Sequence, residues 1–416
     1  MLRKLTATAA ALASLAACAP DAQAPVKVRA LVRSSSGQYA PQEVELKTVT
    51  DIVSLEGQVA RLRGGANVRL DPEDPELQNA TSETLERALV KNEGRPVTAS
   101  YITDDAGVLW PADFHTWNLV TTYYNFERAW DYFREDAAVP VADLSPTTVY
   151  YFPEFVLKEA SEEPQRDNAL FFSPVKAFLV LPFEEIQSAP LAINASVITH
   201  EYAHLVFNRK VYGGQALPTV LAKWPAETPS PGLNVLKSLD EGLADFHAYV
   251  ASCQTAFGCN TQVLATSFEG KMVEERDLSK NWCMDKDLRQ ALLTLNFSQF
   301  SGREYKVGTI LASALYKAST LSPAHRQQLA RAVVAAYDDL ADLTGTALHD
   351  QQQFTLAKAA KSIVQQVTDP DLKRAVCTKL VTHLQIPLDE LVSNDGGCPA
   401  STTTDSSCSD INNNLP

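Results

Sequence analysis

Hydrophobic and polar positions divide this chain into two textures. Between residues 26 and 110, short alternating runs (Val26–Val32, Val44–Val49, Val59–Leu62 and Val97–Ile102) are parted by Gly, Pro and Asp clusters. A period of two predicts strands with one buried face, hence a small β-rich accessory or pro-like region. A Glu/Arg/Leu run at 82–91 is the exception and predicts a helix. Residues 116–135, rich in Tyr, Trp and Phe, predict an aromatic helix, and strands are expected near 147–152 and 169–181. From about 233 onward the spacing becomes helical. Ser322-Pro323 and Asp369-Pro370 each join a capping side chain to a proline suited to a first helical turn, so each opens a helix. The expected fold class is α+β: a small mixed sheet, a helix carrying the chemistry and a mainly α C-terminal lobe. No internal repeat is evident.

That helix is announced by Val197-Ile198-Thr199-His200-Glu201-Tyr202-Ala203-His204-Leu205-Val206-Phe207, and Asn194 or Ser196 can cap its start. His200 and His204 lie four apart, so their imidazoles project from one face, one turn apart. Both can reach a single Zn²⁺, while Glu201 is displaced around the axis to act on water as a general base. A bare match to this pattern arises by chance in roughly one chain of this length per hundred. The plain alternative is two histidines satisfied by carbonyls on a buried helix face. The apolar flanks and a second acidic pair weigh against it. In Leu239-Asp240-Glu241-Gly242-Leu243-Ala244-Asp245, Glu241 and Asp245 are four apart on another helical pattern. A hydrolytic zinc site takes three protein ligands and keeps one open position. Glu241 completes that set, and Asp245 is spaced to accept a hydrogen bond from the other ring nitrogen of His200.

With those residues the chain resembles the gluzincin metallopeptidases, most closely their thermolysin-like branch, over roughly residues 115–340. Three further stretches carry the resemblance. Asp167-Asn168-Ala169-Leu170-Phe171 is similar to the family's edge strand, which implies that Asn168 and Ala169 hold the substrate backbone. Glu275-Arg276-Asp277-Leu278-Ser279 is similar to an element whose arginine touches the substrate carbonyl and the aspartate matching Asp245. Gly308–Tyr316 resembles the family's late, glycine-led helix beside the site. The implied activity is peptide-bond hydrolysis with one zinc ion, a zincin-like domain over 111–390 and a peptide or protein as substrate.

Two departures stand out. The family's oxyanion-stabilising histidine, about four residues before the late glycine, is here Glu304, followed by Tyr305. Tyr305 can supply a neutral O–H in its place, with Tyr212 as a second donor. Losing one such donor typically costs about 2.7–4 kcal/mol of transition-state stabilisation, which slows catalysis without abolishing it. The segment joining His204 to Glu241 is also long, and its Gly213-Gly214, Pro218, Pro225, Pro229 and Pro231 predict a loop over or beside the cleft. The Glu304 substitution motivates an alternative from another class: a non-catalytic zinc-binding envelope lipoprotein, a scaffold or adhesion module.

Arg3 and Lys4 precede an Ala/Leu-rich stretch from Leu5 to Ala17, thirteen residues long. This is too short for a membrane span and suits a secretory signal. Leu15-Ala16-Ala17-Cys18 resembles the bacterial lipobox, which implies cleavage and lipidation at Cys18, a tether over 19–25 and an outer-membrane lipoprotein of the cell envelope. Removing Arg3 and Lys4 from 36 basic residues leaves 34 against 50 acidic, a formal charge of −16. Nucleic acid and anionic lipid are poor partners for such a surface. Nothing in the sequence fixes an oligomeric state, and a monomer is assumed.

Of seven cysteines, six remain once Cys18 is set aside, an even number suited to disulfides in an oxidising compartment. Cys253 and Cys259 close a small loop and predict one bridge; the other pairings stay open. Residues 391–416 read as a polar tail pinned by Cys398 and Cys408. His115, His325, His349 and His383 have no acidic or cysteine neighbours at ligand spacing, and His247 falls on the wrong side of its helix for the metal. No Gly-x-Ser-x-Gly signature or phosphate-binding glycine loop occurs.

Overall fold

A computed structural model describes residues 24–408 except 35–37, 82, 145, 159, 185–188, 216–227, 255–257, 266, 268–270, 348–353 and 394. The leader with Cys18, the middle of the segment between the two motif helices, His349 and the end of the tail lie outside the described residues. The fold is mixed α and β; among the described residues the strands lie in the first half and helices dominate from residue 195.

The principal sheet runs, from one edge, Ala169–Phe172, Ala177–Val180, Thr147–Tyr151, Ala60–Gly64, Glu56–Gly57 and Val49–Asp51, with Arg95–Pro96 also pairing Ala60–Gly64. Thr147–Tyr151 is parallel to both neighbours, and Ala169–Phe172 closes its edge antiparallel. A second sheet pairs Val26–Arg33 with Tyr39–Leu46 and with Leu109–Pro111, and a third joins Glu154–Leu157 to Asn67–Leu70. The expected boundary at residue 110 therefore does not separate two cores. Residues 26–110 are β-rich, but Ala60–Gly64 is an interior strand of the principal sheet. Val28, Leu62, Phe126 and Val149 share one continuous hydrophobic core.

Phe114–Asp131, the aromatic helix, starts at Asp113, whose carboxylate accepts from Thr116 N at 2.9 Å. It packs beside the histidine helix, Ala195–Val211, and both helices touch the principal sheet. Its Phe126 ring meets Phe178 of the sheet at 4.7 Å and Tyr202 of the histidine helix at 6.3 Å between centroids. Such offset aromatic contacts add to area burial and fix the angle between layers. The histidine helix in turn packs on Pro231–Ser252, the carboxylate helix, which is buried along nearly its whole length. A helix buried on every side, charged residues included, runs through the centre of the molecule rather than over its surface. Arg303–Ser319, the late helix, covers the other side of the carboxylate helix. Pro323–Ala347 and Pro370–His383 begin at their prolines as expected, with Ser322 Oγ and Asp369 Oδ1 accepting first-turn amides. None of the described helices is long and apolar enough to cross a membrane.

Candidate metal centre

The histidine helix is held at its first turn. Asn194 Oδ1 accepts from Ser196 N at 3.0 Å and Val197 N at 3.3 Å, satisfying amides that have no intrahelical partner. Its Nδ2 donates to Ala265 O and Ser267 Oγ, tying the cap to a distant loop. His200 and His204 then face one way, with their Nε2 atoms 3.0 Å apart.

Glu241 reaches the same point from the carboxylate helix. Its Oε2 lies 3.4 Å from His200 Nε2 and 3.7 Å from His204 Nε2. Ligands held tetrahedrally about a metal at roughly 2.0–2.1 Å sit about 3.3 Å from one another. The three observed separations straddle that edge. Glu241 Oε2 is buried and has no hydrogen-bond partner, an orphaned anionic acceptor between two imidazoles. A cation satisfies all three atoms at once, and two imidazoles with one carboxylate suit zinc. His200, Glu201 and His204 also each offer an atom within 4.8 Å of the others.

Each imidazole is gripped from behind. Nδ1 of His204 shares a hydrogen bond with Asp240 Oδ1 at 2.6 Å, while Nδ1 of His200 lies 2.9 Å from Asp245 Oδ1 as a close polar contact outside hydrogen-bond angles. Such contacts set which ring nitrogen faces the metal and hold the ring plane. Arg276 clamps Asp245 with two hydrogen bonds, Nη2 to Oδ1 at 2.6 Å and Nε to Oδ2 at 3.1 Å. Burial favours the neutral forms here, but opposite charges overrule it. Asp245 is held below the usual carboxylate range by Arg276 and His200, and Glu241 well below it by His204 and His200. His200 and His204 are raised against burial, His200 by Asp245 and Glu241, His204 by Asp240 and Glu241. The carboxylates thus form a cage that demands positive charge. Sequence reasoning missed Asp240, although its position next to Glu241 and His204's need for its own partner were the available signal.

Glu201, displaced around the axis from the two histidines, points toward the principal sheet's edge strand. Its Oε2 accepts from Phe171 N at 2.8 Å, and burial raises its carboxyl above the ordinary value against the pull of His200 and His204. Asn168 and Ala169, at the start of that strand, line the same cleft of about 280 Å³ as Glu201, both histidines, Glu241, Arg276 and Tyr305. Asn168 Oδ1 accepts from Ala169 N, and its carbonyl accepts from Leu181 N, so part of its polar capacity is spent locally. Tyr305 is 42% exposed, with its ring beneath the Arg276 guanidinium at 5.2 Å. Tyr212 lines the cleft as well, and its hydroxyl is buried without a partner among the described residues. Glu304 is buried at the start of the late helix, with Oε2 unpartnered. The fold also brings to the cleft Lys237, one turn before Glu241, which the sequence reading passed over.

Away from the cleft, Cys253–Cys259 is bonded as expected, and the open pairings are Cys283–Cys408 and Cys377–Cys398. His383 lies beside the Cys283–Cys408 sulfurs, a neighbourhood invisible in sequence. Its Nδ1, 3.9 Å from Cys283 Sγ and 3.7 Å from Cys408 Sγ, is already bonded to Trp282 O at 2.7 Å. His115 bonds Tyr151, and His325 lies 3.6 Å from Asp369. Comparison with protein-family models and with curated proteins finds no match for this chain.

Proposed function

We propose that this chain is a zinc-dependent peptidase of gluzincin type. The observation that carries the reading is the convergence of His200 Nε2, His204 Nε2 and Glu241 Oε2 at zinc-like spacing beside a buried, unligated Glu201. Zinc bound there supplies Lewis-acid activation of water and of the scissile carbonyl. Glu201 takes a proton from the attacking water and passes it to the leaving amine. Its raised pKa makes it a better proton acceptor than an exposed carboxylate, and the Phe171 amide holds it toward the cleft. A substrate strand would lie along Ala169–Phe172, the edge of the principal sheet among the described residues. Arg276, fixed by Asp245, and Asn168 orient that strand, while Tyr305 and Tyr212 are hydroxyl donors of the cleft that can serve a developing oxyanion. On the further reading of the leader, the enzyme acts from a lipid anchor at Cys18 on the bacterial envelope.

The test is turnover of a generic peptide library by zinc-loaded wild type and Glu201→Gln. Wild type is expected to cleave and the variant to lose at least about a hundredfold in kcat, the scale of a general acid–base contribution. Equal turnover by the two proteins removes Glu201 from the mechanism. The buried Glu304 at the place of the family's oxyanion histidine favours the scaffold alternative. Under that reading chelation lowers the melting temperature, and no chelator-sensitive cleavage is found at any protein concentration.

A further inference from the structure

Two cationic side chains line the cleft among its described residues, Lys237 and Arg276, and they are committed very differently. Arg276 spends its guanidinium on Asp245 through two short bonds. Lys237 Nζ has one polar contact among the described residues, Asp240 Oδ2 at 3.4 Å. Charge-assisted bonds of this kind close to about 2.7–2.9 Å when they are fully made. An ammonium carries three donors, so most of this one's capacity is unspent. Its side chain is only 17% exposed, so water replaces the missing partners poorly. No ion pair joins it to Glu304, the neighbouring buried carboxylate, whose Oε2 is itself unpartnered.

The position of Lys237 gives the spare charge a purpose. It is one helical turn before Glu241, and its contact Asp240 is also the residue that orients His204, so the ammonium borders the histidine side of the cleft. Glu201, Asp240 and Glu241 also line this cleft, and with Arg276 committed to Asp245 and a metal ion to Glu241, Lys237 is the remaining cation among the described lining residues that can meet a substrate carboxylate. A cation that is desolvated, underpaired and next to the reacting centre is a counter-charge for a substrate group.

We propose that Lys237 binds a carboxylate of the substrate beside the metal centre and so selects peptides that carry a negative charge next to the scissile bond. This rests on the peptidase reading. The shared chemistry is a carboxylate, whether the peptide's own C-terminus or an acidic side chain.

Binding, read by calorimetry on zinc-loaded Glu201→Gln protein, tests it without turnover. The probes are N-acetylated tripeptides in three forms: neutral with a free C-terminus, neutral and amidated, and amidated with a central Glu. A carboxylate form is expected to bind about tenfold more tightly than the neutral amide, the scale of one charge-assisted hydrogen bond. Whichever form gains identifies the source. Lys237→Met in the same background abolishes the difference, and Lys237→Arg retains it. Zinc content measured on every variant keeps loss of metal apart from loss of the cation. Equal binding of all three probes overturns the inference, as does failure of every probe to bind. Equal weakening of all probes by Lys237→Met also overturns it, because Lys237 then acts only by steadying Asp240. Wild-type turnover of the same peptides separates the two readings. Lys237-dependent binding without cleavage sinks the peptidase and spares the carboxylate site, whereas cleavage without charge preference does the reverse.

Discussion

His247 sits two residues past Asp245, yet its ring turns away from the metal centre into the core. Tyr132 Oη lies 2.7 Å from its Nδ1 and Tyr337 Oη 3.2 Å from its Nε2. Burial lowers its pKa from 6.5 to about 3. A group neutral in the native state and protonated in the unfolded one makes no difference above the unfolded value. Between pH 6.5 and about 3 the unfolded chain binds a proton that the native state refuses, so stability falls as pH falls. The slope is about 1.4 kcal/mol per pH unit from this residue alone. Melting temperatures of zinc-loaded wild type and His247→Gln between pH 7 and 4 are expected to diverge, with wild type falling more steeply on acidification. Parallel curves would show that this imidazole is not held neutral. Sequence placed His247 off the metal by helical phase, and phase paired His200 with His204 and Glu241 with Asp245, while the ligand count of a zinc site joined the two pairs. Phase could not reveal Asp240 or Lys237, because their roles depend on which element packs opposite them.

Glu241 is positioned by two helices whose backbones touch. A Cβ on Gly242 would stand 2.4 Å from Gly308 O, and one on Gly308 would stand 2.8 Å from Gly242 N and 3.1 Å from Glu241 Cβ. Neither site can take a methyl group without moving a main chain. Gly308→Ala is therefore expected to force the late helix from the carboxylate helix and destabilise the protein by roughly 1–3 kcal/mol, the usual cost of overpacking. Because Glu241 sits at the crossing, zinc affinity falls with it. Denaturant unfolding of the metal-free protein and a zinc titration measure the two effects, and an unchanged result in both denies the crossing its positioning role. The sequence showed a glycine at the head of a helical run, but the helix starts earlier, at Arg303 after Gly302. A glycine inside a helix signals close approach without naming the partner, so the contact with Gly242 was not legible. Caps were legible, since Asn194, Ser322 and Asp369 act locally on amides two or three residues away.

At the scale of the whole molecule, the alternating segment before residue 110 reads in sequence as removable, because strand patterns do not say which sheet they join. Its parallel pairing with Thr147–Tyr151 crosses more than eighty residues of chain, from Ala60 to Thr147. The link to the aromatic helix is as binding. Glu127 is 3% exposed, and its carboxylate accepts from Lys47 N, Thr48 N and Thr48 Oγ1 at 2.7–3.1 Å. Leu31 N donates to Thr121 Oγ1 of the same helix at 2.9 Å. Cutting away residues 26–110 strips Thr147–Tyr151 of one parallel neighbour and leaves Glu127 without those donors. Taking Val28, Leu46, Val59 and Leu62 out of the shared core forfeits about 1.5–3 kcal/mol of burial for each, a large part of the roughly 5–15 kcal/mol that holds a domain together. A chain beginning at residue 111 is therefore expected to lose cooperative unfolding by circular dichroism and to bind no stoichiometric zinc. An inhibitory pro-segment predicts the reverse, a folded protein more active than its parent. Cooperative melting with retained metal in the shortened chain would mean that the metal centre stands without the strand that now runs through the sheet beneath it.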